Sequence, residues 1–397
     1  MHHRQRPEPG AARGVARPQQ GRLARDVAGG PARQRWNTVG YDEPRRGLGG
    51  AGAEGGRQRR GHPRRPSPPD EGVPSRPRRL RLSRRQDQPG QGHSALSLFD
   101  GVHAVLYALF ARNETVDHGA MTAQVDFCAA RGCHGITVLG LATEVLKLTF
   151  EERSRLIATV GRANAGRLPF SVTIAGNSVA EQASLAAHAA DAGADWLILQ
   201  PPMAGTYGAD IYLDFFARVA RTTTLPVAVQ NAPQYLGRAL SGEDLVRLSA
   251  QCPNLAAVKG EDAALGIRRI IDIAGARLKV LGGRGGLEMT DCLRAGCSGF
   301  VLAPDIAPVA TRIFDHWQAG RTAEADALYA EMLPAVTFVM QSLEHLITYG
   351  KRIFAAEAGI TVHDRQPCLP TSEFGLATAE RWARRLAELA IHKSPSP

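Results

Sequence analysis

The chain has 397 residues, 44% of them hydrophobic, which is enough for a substantial core in one large or two ordinary domains. Its formal net charge is +10, but residues 1–93 contain 21 arginines and only 8 acidic residues, so this segment carries +13 and the remainder −3. The basic character therefore belongs to the N-terminal segment, and a nucleic-acid partner is not expected for the rest. No run of about 18 apolar residues is present, so no membrane span is expected.

The N-terminal segment, residues 1–95, is rich in arginine, glycine and proline and predicts a disordered tail, because it lacks the apolar residues that would offset the entropy cost of ordering. One interpretation is a basic arm for nucleic acid or an acidic surface. The favoured interpretation is an incidental extension, such as a start codon assigned too far upstream.

Two features indicate a cytoplasmic protein. The six cysteines form no CxxC pair and have no metal-ligand spacing, which predicts free thiols and no bound metal. The N-terminal segment has no apolar stretch typical of a secretory signal, and its proline and glycine density is unsuited to an amphipathic transit helix.

From residue 96 onward, short apolar runs alternate with amphipathic helical segments. Several helices have a hydroxyl residue three positions before an acid, the pattern of a capping box: Thr149 with Glu152, Ser178 with Glu181, and Ser241 with Asp244. The apolar runs predict eight strands, at residues 102–110, 134–140, 169–175, 196–201, 226–231, 255–260, 278–283 and 299–303.

Eight consecutive strand-helix units predict an α/β fold, a (β/α)8 TIM barrel over residues 96–320, with catalytic groups at the carboxyl ends of the strands. A doubly wound open sheet is the alternative, but it would usually show a glycine-rich phosphate fingerprint, and none is present. After a barrel-closing helix at 307–318, helices near 322–341, 342–358 and 372–391 predict a C-terminal helical region over 321–397.

Lys259 is one of only five lysines in the chain and ends the apolar run 255–260. It alternates with Ala257 and Leu255, so it should face the barrel mouth. A lysine at a strand end can simply extend to solvent. Burial disfavours the charged amine, however, and a neutral amine in a barrel mouth suits Schiff-base formation with a carbonyl substrate.

Around this lysine, the sequence resembles the dihydrodipicolinate synthase / N-acetylneuraminate lyase family of pyruvate-dependent class I aldolases, over about residues 99–360. The resemblance rests on the order and spacing of several segments: FDGVHAVLYALF, GITVLGLATEVLKLTFEER, PVAVQNAPQYLG, VKGED, GGRGG and RAGCSGFVLAPDIAP. It implies that Lys259 forms the imine, that no further cofactor is needed, and that the protein is a homo-oligomer, commonly a tetramer in the family.

The chain departs from the family pattern where a hydroxyl relay is usual. The family motif G-[TS]-[TS]-G-E reads GLATE at residues 140–144. Gln230 stands in place of the strand-five tyrosine that transfers protons, and Met203 in place of a tyrosine after strand four. Tyr235 stands where the synthase has an arginine that binds a second carboxylate, which weakens the assignment to lysine biosynthesis.

The substrate carboxylate still has donors in this sequence. The backbone N–H groups of Leu141, Ala142 and Thr143 do not depend on side chains, and Thr143 adds a hydroxyl. Gln230 can orient substrate but cannot act as an acid or base.

Other groups have two interpretations each. Glu261 either transfers protons beside the imine or caps the following helix. Tyr107 either fills the barrel or serves as a second acid. The glycines of 282–286 favour a tight turn over an anion-binding nest, and Arg284 between them favours substrate contact.

The expected function is a Schiff-base lyase that acts on a small 2-oxo acid, either a pyruvate-dependent aldolase or a 2-oxo-3-deoxy sugar-acid dehydratase. The dihydrodipicolinate synthase reaction is the second possibility. A barrel that binds a keto acid without turning it over is the third.

Overall fold

The computed structural model describes residues 97–391. The tail predicted for residues 1–95 lies outside the described residues. Within residues 97–391, no helix is both long enough and apolar enough to cross a bilayer.

Eight parallel strands close into a barrel, each pairing with the next and β8 pairing with β1. The TIM barrel prediction is therefore confirmed, and the open sheet is excluded. Seven strands lie within their predicted runs, whereas β1 begins one residue before its predicted run, 102–110, and ends five residues before the end of that run. The strands are β1 Gly101–Val105, β2 Gly135–Val138, β3 Phe170–Ile174, β4 Trp196–Leu199, β5 Val227–Asn231, β6 Leu255–Gly260, β7 Lys279–Gly282 and β8 Gly299–Leu302.

Helices follow the strands and cover the outside of the barrel. They are α1 His118–Ala130, α2 Phe150–Asn164, α3 Val179–Asp191, α4 Ala209–Ala220, α5 Pro233–Leu236, α6 Gly242–Gln251, α7 Ala264–Ala274, α8 Met289–Ala295 and α9 Ala307–Gln318.

The predicted helix starts are found in the structure. At α2 and α6, the cap hydroxyl accepts from the backbone of the third helical residue and that residue's carboxylate bonds back to the cap, which completes both capping boxes. At α3, Ser178 accepts from the backbone of Glu181, but the Glu181 carboxylate accepts from the N–H of Asn177 instead.

The C-terminal helical region comprises α10 Thr322–Val339, α11 Leu343–His345, a π-helical turn Leu346–Gly350, α12 Lys351–Ala358 and α13 Glu373–Ala390. α10 packs on α9, and α13 packs on α12. These helices belong to one compact unit with the barrel. The division of the folded part at residue 320 stays a prediction.

The register of the central strands determines which residues meet inside the barrel. Gln230 of β5 lies beside Lys259 of β6, and Lys259 lies beside Leu281 of β7. Because side chains alternate along a strand, Gln230 and Lys259 face the interior together. The strand pairing therefore places an amide next to the amine at the carboxyl end of the barrel.

Candidate active site

Lys259 and Glu261 form a buried pair at the carboxyl end of β6. The Lys259 Nζ lies 2.5 Å from Glu261 Oε1, and each side chain is only 6% exposed. Lys259 is on the strand, and Glu261 is the first residue after it. The pair places a proton acceptor directly against the amine.

Two glutamines continue from this pair across the barrel mouth. Gln230 Nε2 donates to Glu261 Oε1 at 2.6 Å, and Gln230 Oε1 accepts from Gln200 Nε2 at 2.8 Å. Gln200 follows β4 and was not identified from the sequence. Because Gln200 donates to Gln230, the Gln230 amide nitrogen is directed at the carboxylate, and Gln230 fixes the orientation of Glu261 without exchanging a proton with it.

Gly283 makes room for the Glu261 side chain. A Cβ atom at Gly283 would lie 2.6 Å from Glu261 Cγ, which is closer than such atoms approach in proteins. The residue after β7 must therefore be glycine for Glu261 to reach Lys259 in this position. This close approach gives one glycine of the 282–286 segment a role beyond turn formation.

The pair opens into a cleft with an empty volume of about 440 Å³, including its open mouth. The ionisable side chains that line the cleft are Lys259, Glu261, Tyr235 and Arg284. The rest of the wall is largely apolar and comes from three places: the turn after β2 with Leu141 and Ala142, β1 and the end of β8 with Val105, Val301 and Leu302, and the C-terminal helical region with Met340, Leu343 and Leu346.

Two of the three predicted carboxylate donors line this cleft. Leu141 and Ala142 do so, and they begin a 3₁₀ turn, Leu141–Thr143, where the first N–H groups have no acceptor within the turn. Thr143 does not: its N–H donates to the Gly140 carbonyl at 3.0 Å and its hydroxyl to the Leu106 carbonyl at 2.6 Å. The buried Thr143 therefore holds the turn against the segment after β1.

Tyr107 is fully buried and does not line the cleft. Its hydroxyl donates to Asp305 Oδ1 at 3.0 Å. Burial, followed by the nearby Asp305 charge, raises the pKa of Tyr107 well above its usual value, and burial raises the pKa of Asp305 to about 6. A Cβ atom at Gly350 would lie 2.4 Å from the Tyr107 hydroxyl, so the π-helical turn packs directly on this pair. The structure thus places Tyr107 in the core and away from Lys259, and its role as a second acid stays a prediction.

Tyr235 and Arg284 both line the cleft. Tyr235 lies on α5. Burial, followed by the charge of Glu261, raises the pKa of Tyr235, so its phenol stays protonated at neutral pH. Arg284 Nη1 lies 3.1 Å from Glu288 Oε2, whereas Arg284 Nε is buried without a partner.

A second buried ion pair supports the 3₁₀ turn and was not identified from the sequence. Glu144 follows the turn with a left-handed backbone (φ 54°), and its Oε2 lies 2.7 Å from Lys147 Nζ. Its Oε1 contacts Nζ of Lys351, which is fully buried at the start of α12 and lies 5.2 Å from the Phe110 ring centroid. Burial lowers the pKa of Lys351, although the Glu144 charge opposes this effect.

Replacing Lys351 by methionine is expected to lower the free energy of unfolding by about 3 kcal/mol, because Glu144 loses its buried partner. Lys147 still contacts the same carboxylate, which keeps the loss at the lower end of the usual range. Urea unfolding of the two proteins at the same protein concentration measures this loss in the free energy of unfolding. Lys147→Met is the matched control, since this partly exposed lysine should contribute no more than about 1 kcal/mol. Equal losses in the two variants would show that burial of Lys351 has no special role.

The chain is similar to several known proteins. A family model described as the dihydrodipicolinate synthetase family matches residues 98–384. The probable mitochondrial 4-hydroxy-2-oxoglutarate aldolase of Emericella nidulans is 28% identical over 73% of this chain and 96% of its own length. The L-2-keto-3-deoxyarabonate dehydratase of Azospirillum brasilense is 29% identical over 59% of this chain and 78% of its own.

Among solved structures, YagE from E. coli K12, described as a prophage protein of the dihydrodipicolinic acid synthase family in complex with pyruvate, superposes with a TM-score of 0.68. It is 23% identical and covers 73% of this chain and 99% of its own, so the likeness concerns the fold. The chain belongs to the dihydrodipicolinate synthetase family. Its relatives are aldolases, a dehydratase and synthases, and the protein is accordingly a lyase.

Proposed function

We propose that the protein is a Schiff-base lyase that acts on a 2-oxo-3-deoxy acid with a hydroxyl group at C4. The observation that carries the proposal is the 2.5 Å contact between Lys259 Nζ and Glu261 Oε1 in a cleft at the carboxyl ends of the strands. The N–H groups of Leu141 and Ala142 bind the C1 carboxylate, which leaves the C2 carbonyl next to Lys259.

The first stage forms the imine. Glu261 accepts a proton from the Lys259 ammonium group, and the neutral amine then attacks C2 of the substrate. Glu261 returns this proton to the former carbonyl oxygen, which leaves as water, and the resulting protonated imine withdraws electrons from C3. Gln230 holds the Glu261 carboxylate in place throughout.

The second stage has two outcomes from this one intermediate. In retro-aldol cleavage, Glu261 removes the proton of the C4 hydroxyl, the C3–C4 bond breaks, and its electron pair forms the enamine of pyruvate. In dehydration, Glu261 removes a proton from C3, and the resulting enamine expels the C4 hydroxyl, which leaves as water after protonation. In the cleavage outcome, Glu261 returns its proton to C3 of the enamine, which gives the imine of pyruvate. In both outcomes, water then hydrolyses the imine and releases Lys259.

This mechanism needs no organic cofactor, because the lysine imine is the electron sink. A homotetramer and a cytoplasmic location remain part of the proposal, by the likeness of the sequence to the family. The dihydrodipicolinate synthase reaction is less favoured, because neither Gln230 nor Met203 can replace a tyrosine proton relay.

Borohydride trapping with pyruvate tests the proposal. The protein is incubated with pyruvate, reduced and digested, and the peptides are weighed. We expect one reduced pyruvyl adduct, on the peptide that contains Lys259, and none on the peptides that contain Lys147, Lys279 or Lys351. No adduct with pyruvate or any longer 2-oxo acid would overturn the lyase mechanism and leave a barrel that binds keto acids without turning them over.

A further inference from the structure

We propose that Cys292 and Cys297 form a peroxide-reactive thiol pair, in which Cys292 is oxidised first and Cys297 then closes a disulfide. Both are free thiols in the structure. They lie between α8 and the amino end of β8, whereas Lys259 lies at the carboxyl end of β6. The inference therefore goes beyond the lyase reaction and does not depend on it.

The end of α8 holds the two cysteines next to each other. The N–H of Cys297 donates to the Cys292 carbonyl at 3.0 Å, and the N–H of Gly296 donates to the Leu293 carbonyl at 3.0 Å. Gly296 has a φ of 108°, and these bonds together form a Schellman cap. In this cap the side chains at the positions of Cys292 and Cys297 commonly touch, so the backbone brings the two thiols to one place, as a disulfide requires.

The chain repeats this arrangement at a second helix end, which shows what the cap itself needs. The motif CAARGC at the end of α1 has the spacing of CLRAGC at the end of α8, and the N–H of Cys133 donates to the Cys128 carbonyl at 3.1 Å. At the end of α3, the same two positions are Ala189 and Ala194, joined by the same bond at 3.0 Å. A methyl side chain therefore suffices at these positions, and the shape of the cap does not call for sulfur.

The two thiols of the α8 cap differ in acidity, which assigns their roles. The neighbouring Cys297 thiol lowers the pKa of Cys292, although burial opposes this effect. The Cys292 thiol, followed by burial, raises the pKa of Cys297. Since the thiolate is the form that attacks peroxide, Cys292 reacts first and Cys297 completes the disulfide.

The reaction is balanced with hydrogen peroxide as the oxidant. The Cys292 thiolate attacks one peroxide oxygen, the O–O bond breaks, and the departing hydroxide takes up the proton of that thiol to give water. Cys292 is then a sulfenic acid. The Cys297 sulfur attacks the Cys292 sulfur, the S–O bond breaks, and the hydroxyl group leaves as water with the Cys297 proton. Two thiols and one peroxide thus give one disulfide and two water molecules.

Access to the pair favours a small oxidant of this kind. Cys292 and Cys297 are only 4% and 6% exposed, but Gly296 between them lies at the surface. The pair at the end of α1 is deeper, since Cys128 is 0% and Cys133 is 2% exposed. The Cys133 thiol, followed by burial, also raises the pKa of Cys128 well above its usual value. This second pair should therefore react more slowly.

The test is peptide mapping after oxidation of the full chain. The protein is treated with hydrogen peroxide, the peroxide is removed with catalase, free thiols are blocked with N-ethylmaleimide in denaturant, and trypsin is added without reductant. Trypsin cuts at Arg294, between the two cysteines, so the disulfide is detected as two linked peptides whose mass is lower than their sum by two hydrogen atoms. We expect this species to form and to disappear with dithiothreitol. The corresponding species of Cys128 and Cys133 should form at least about 10-fold more slowly.

Variants of the cysteines locate the chemistry. Cys297→Ser removes the thiol that closes the disulfide, so Cys292 should accumulate as its sulfenic or sulfinic acid, which the peptide mass reveals. Cys292→Ser should leave Cys297 as an unmodified thiol. Cys368→Ser is the matched control, because Cys368 is partly exposed and its Sγ lies 3.2 Å from Gln366 Nε2. It should form the linked peptides as the unchanged protein does.

Two results would overturn the inference. One is oxidation of Cys368 in the unchanged protein while Cys292 and Cys297 both remain free thiols. The other is formation of the Cys128–Cys133 disulfide as fast as that of Cys292 and Cys297, which would remove the special role of the α8 cap. Because peptide mapping uses no 2-oxo acid, a failure here is distinct from a failure of imine trapping on Lys259.

Discussion

Replacing Lys259 by alanine is expected to lower turnover on the order of 10⁶-fold, the scale seen when a covalent nucleophile is removed. Among the described residues 97–391, no other lysine lines the cleft: Lys147 and Lys351 bind Glu144, and Lys279 lies at the amino end of β7, paired with Asp100. Steady-state kinetics with a 2-oxo-3-deoxy acid measure the loss of turnover, and borohydride trapping with pyruvate measures the loss of the imine.

Lys279→Ala is the matched control, because this lysine lies on the neighbouring strand and is 51% exposed. It should keep turnover close to that of the unchanged protein and should still be trapped on Lys259. Retention of turnover within tenfold in Lys259→Ala would mean that the reaction does not pass through an imine at this residue.

Replacing Glu261 by glutamine is expected to lower turnover about 10²- to 10⁴-fold, the usual contribution of a positioned general base. Glutamine keeps the size of the side chain but cannot accept a proton. Imine formation with pyruvate should still occur, more slowly, because Lys259 and the carboxylate donors are unchanged. The expected signature is therefore a trapped adduct without turnover.

The matched control is Asp262→Asn, at the next residue along. The Asp262 carboxylate accepts from the backbone N–H of Ala263 at 2.7 Å, which asparagine can also do, so turnover should stay within a few-fold of the unchanged protein. Turnover by Glu261→Gln within threefold of the unchanged protein would assign the proton transfer to another group, such as Tyr235.

The parts of the fold that depend on local pattern were predictable from sequence. The eight apolar runs identified the strands, and paired hydroxyl and acidic residues identified three helix starts. Alternation along β6 placed Lys259 inside the barrel, and its spacing from Glu261 put both on one side. These inferences need only the geometry of one chain segment.

The parts that depend on distant contacts were not predictable. Thr143 was expected to face the substrate, but its hydroxyl donates a hydrogen bond to the carbonyl of Leu106, which lies 37 positions away in the sequence. The Gln200 contact with Gln230 depends on how neighbouring strands bring their ends together. Lys351 contacts the Glu144 carboxylate although the two residues are 207 positions apart in the sequence, because α12 packs next to the turn that contains Glu144. Sequence spacing carries no signal for such pairs.

The wall formed by Met340, Leu343 and Leu346 comes from a segment that contributes no strand to the barrel. Part of the cleft wall is thus encoded outside the strand that carries the reactive amine. A change of side chain in this C-terminal segment alters the shape of the cleft while β6 stays as it is. An engineer who seeks a new substrate would begin there.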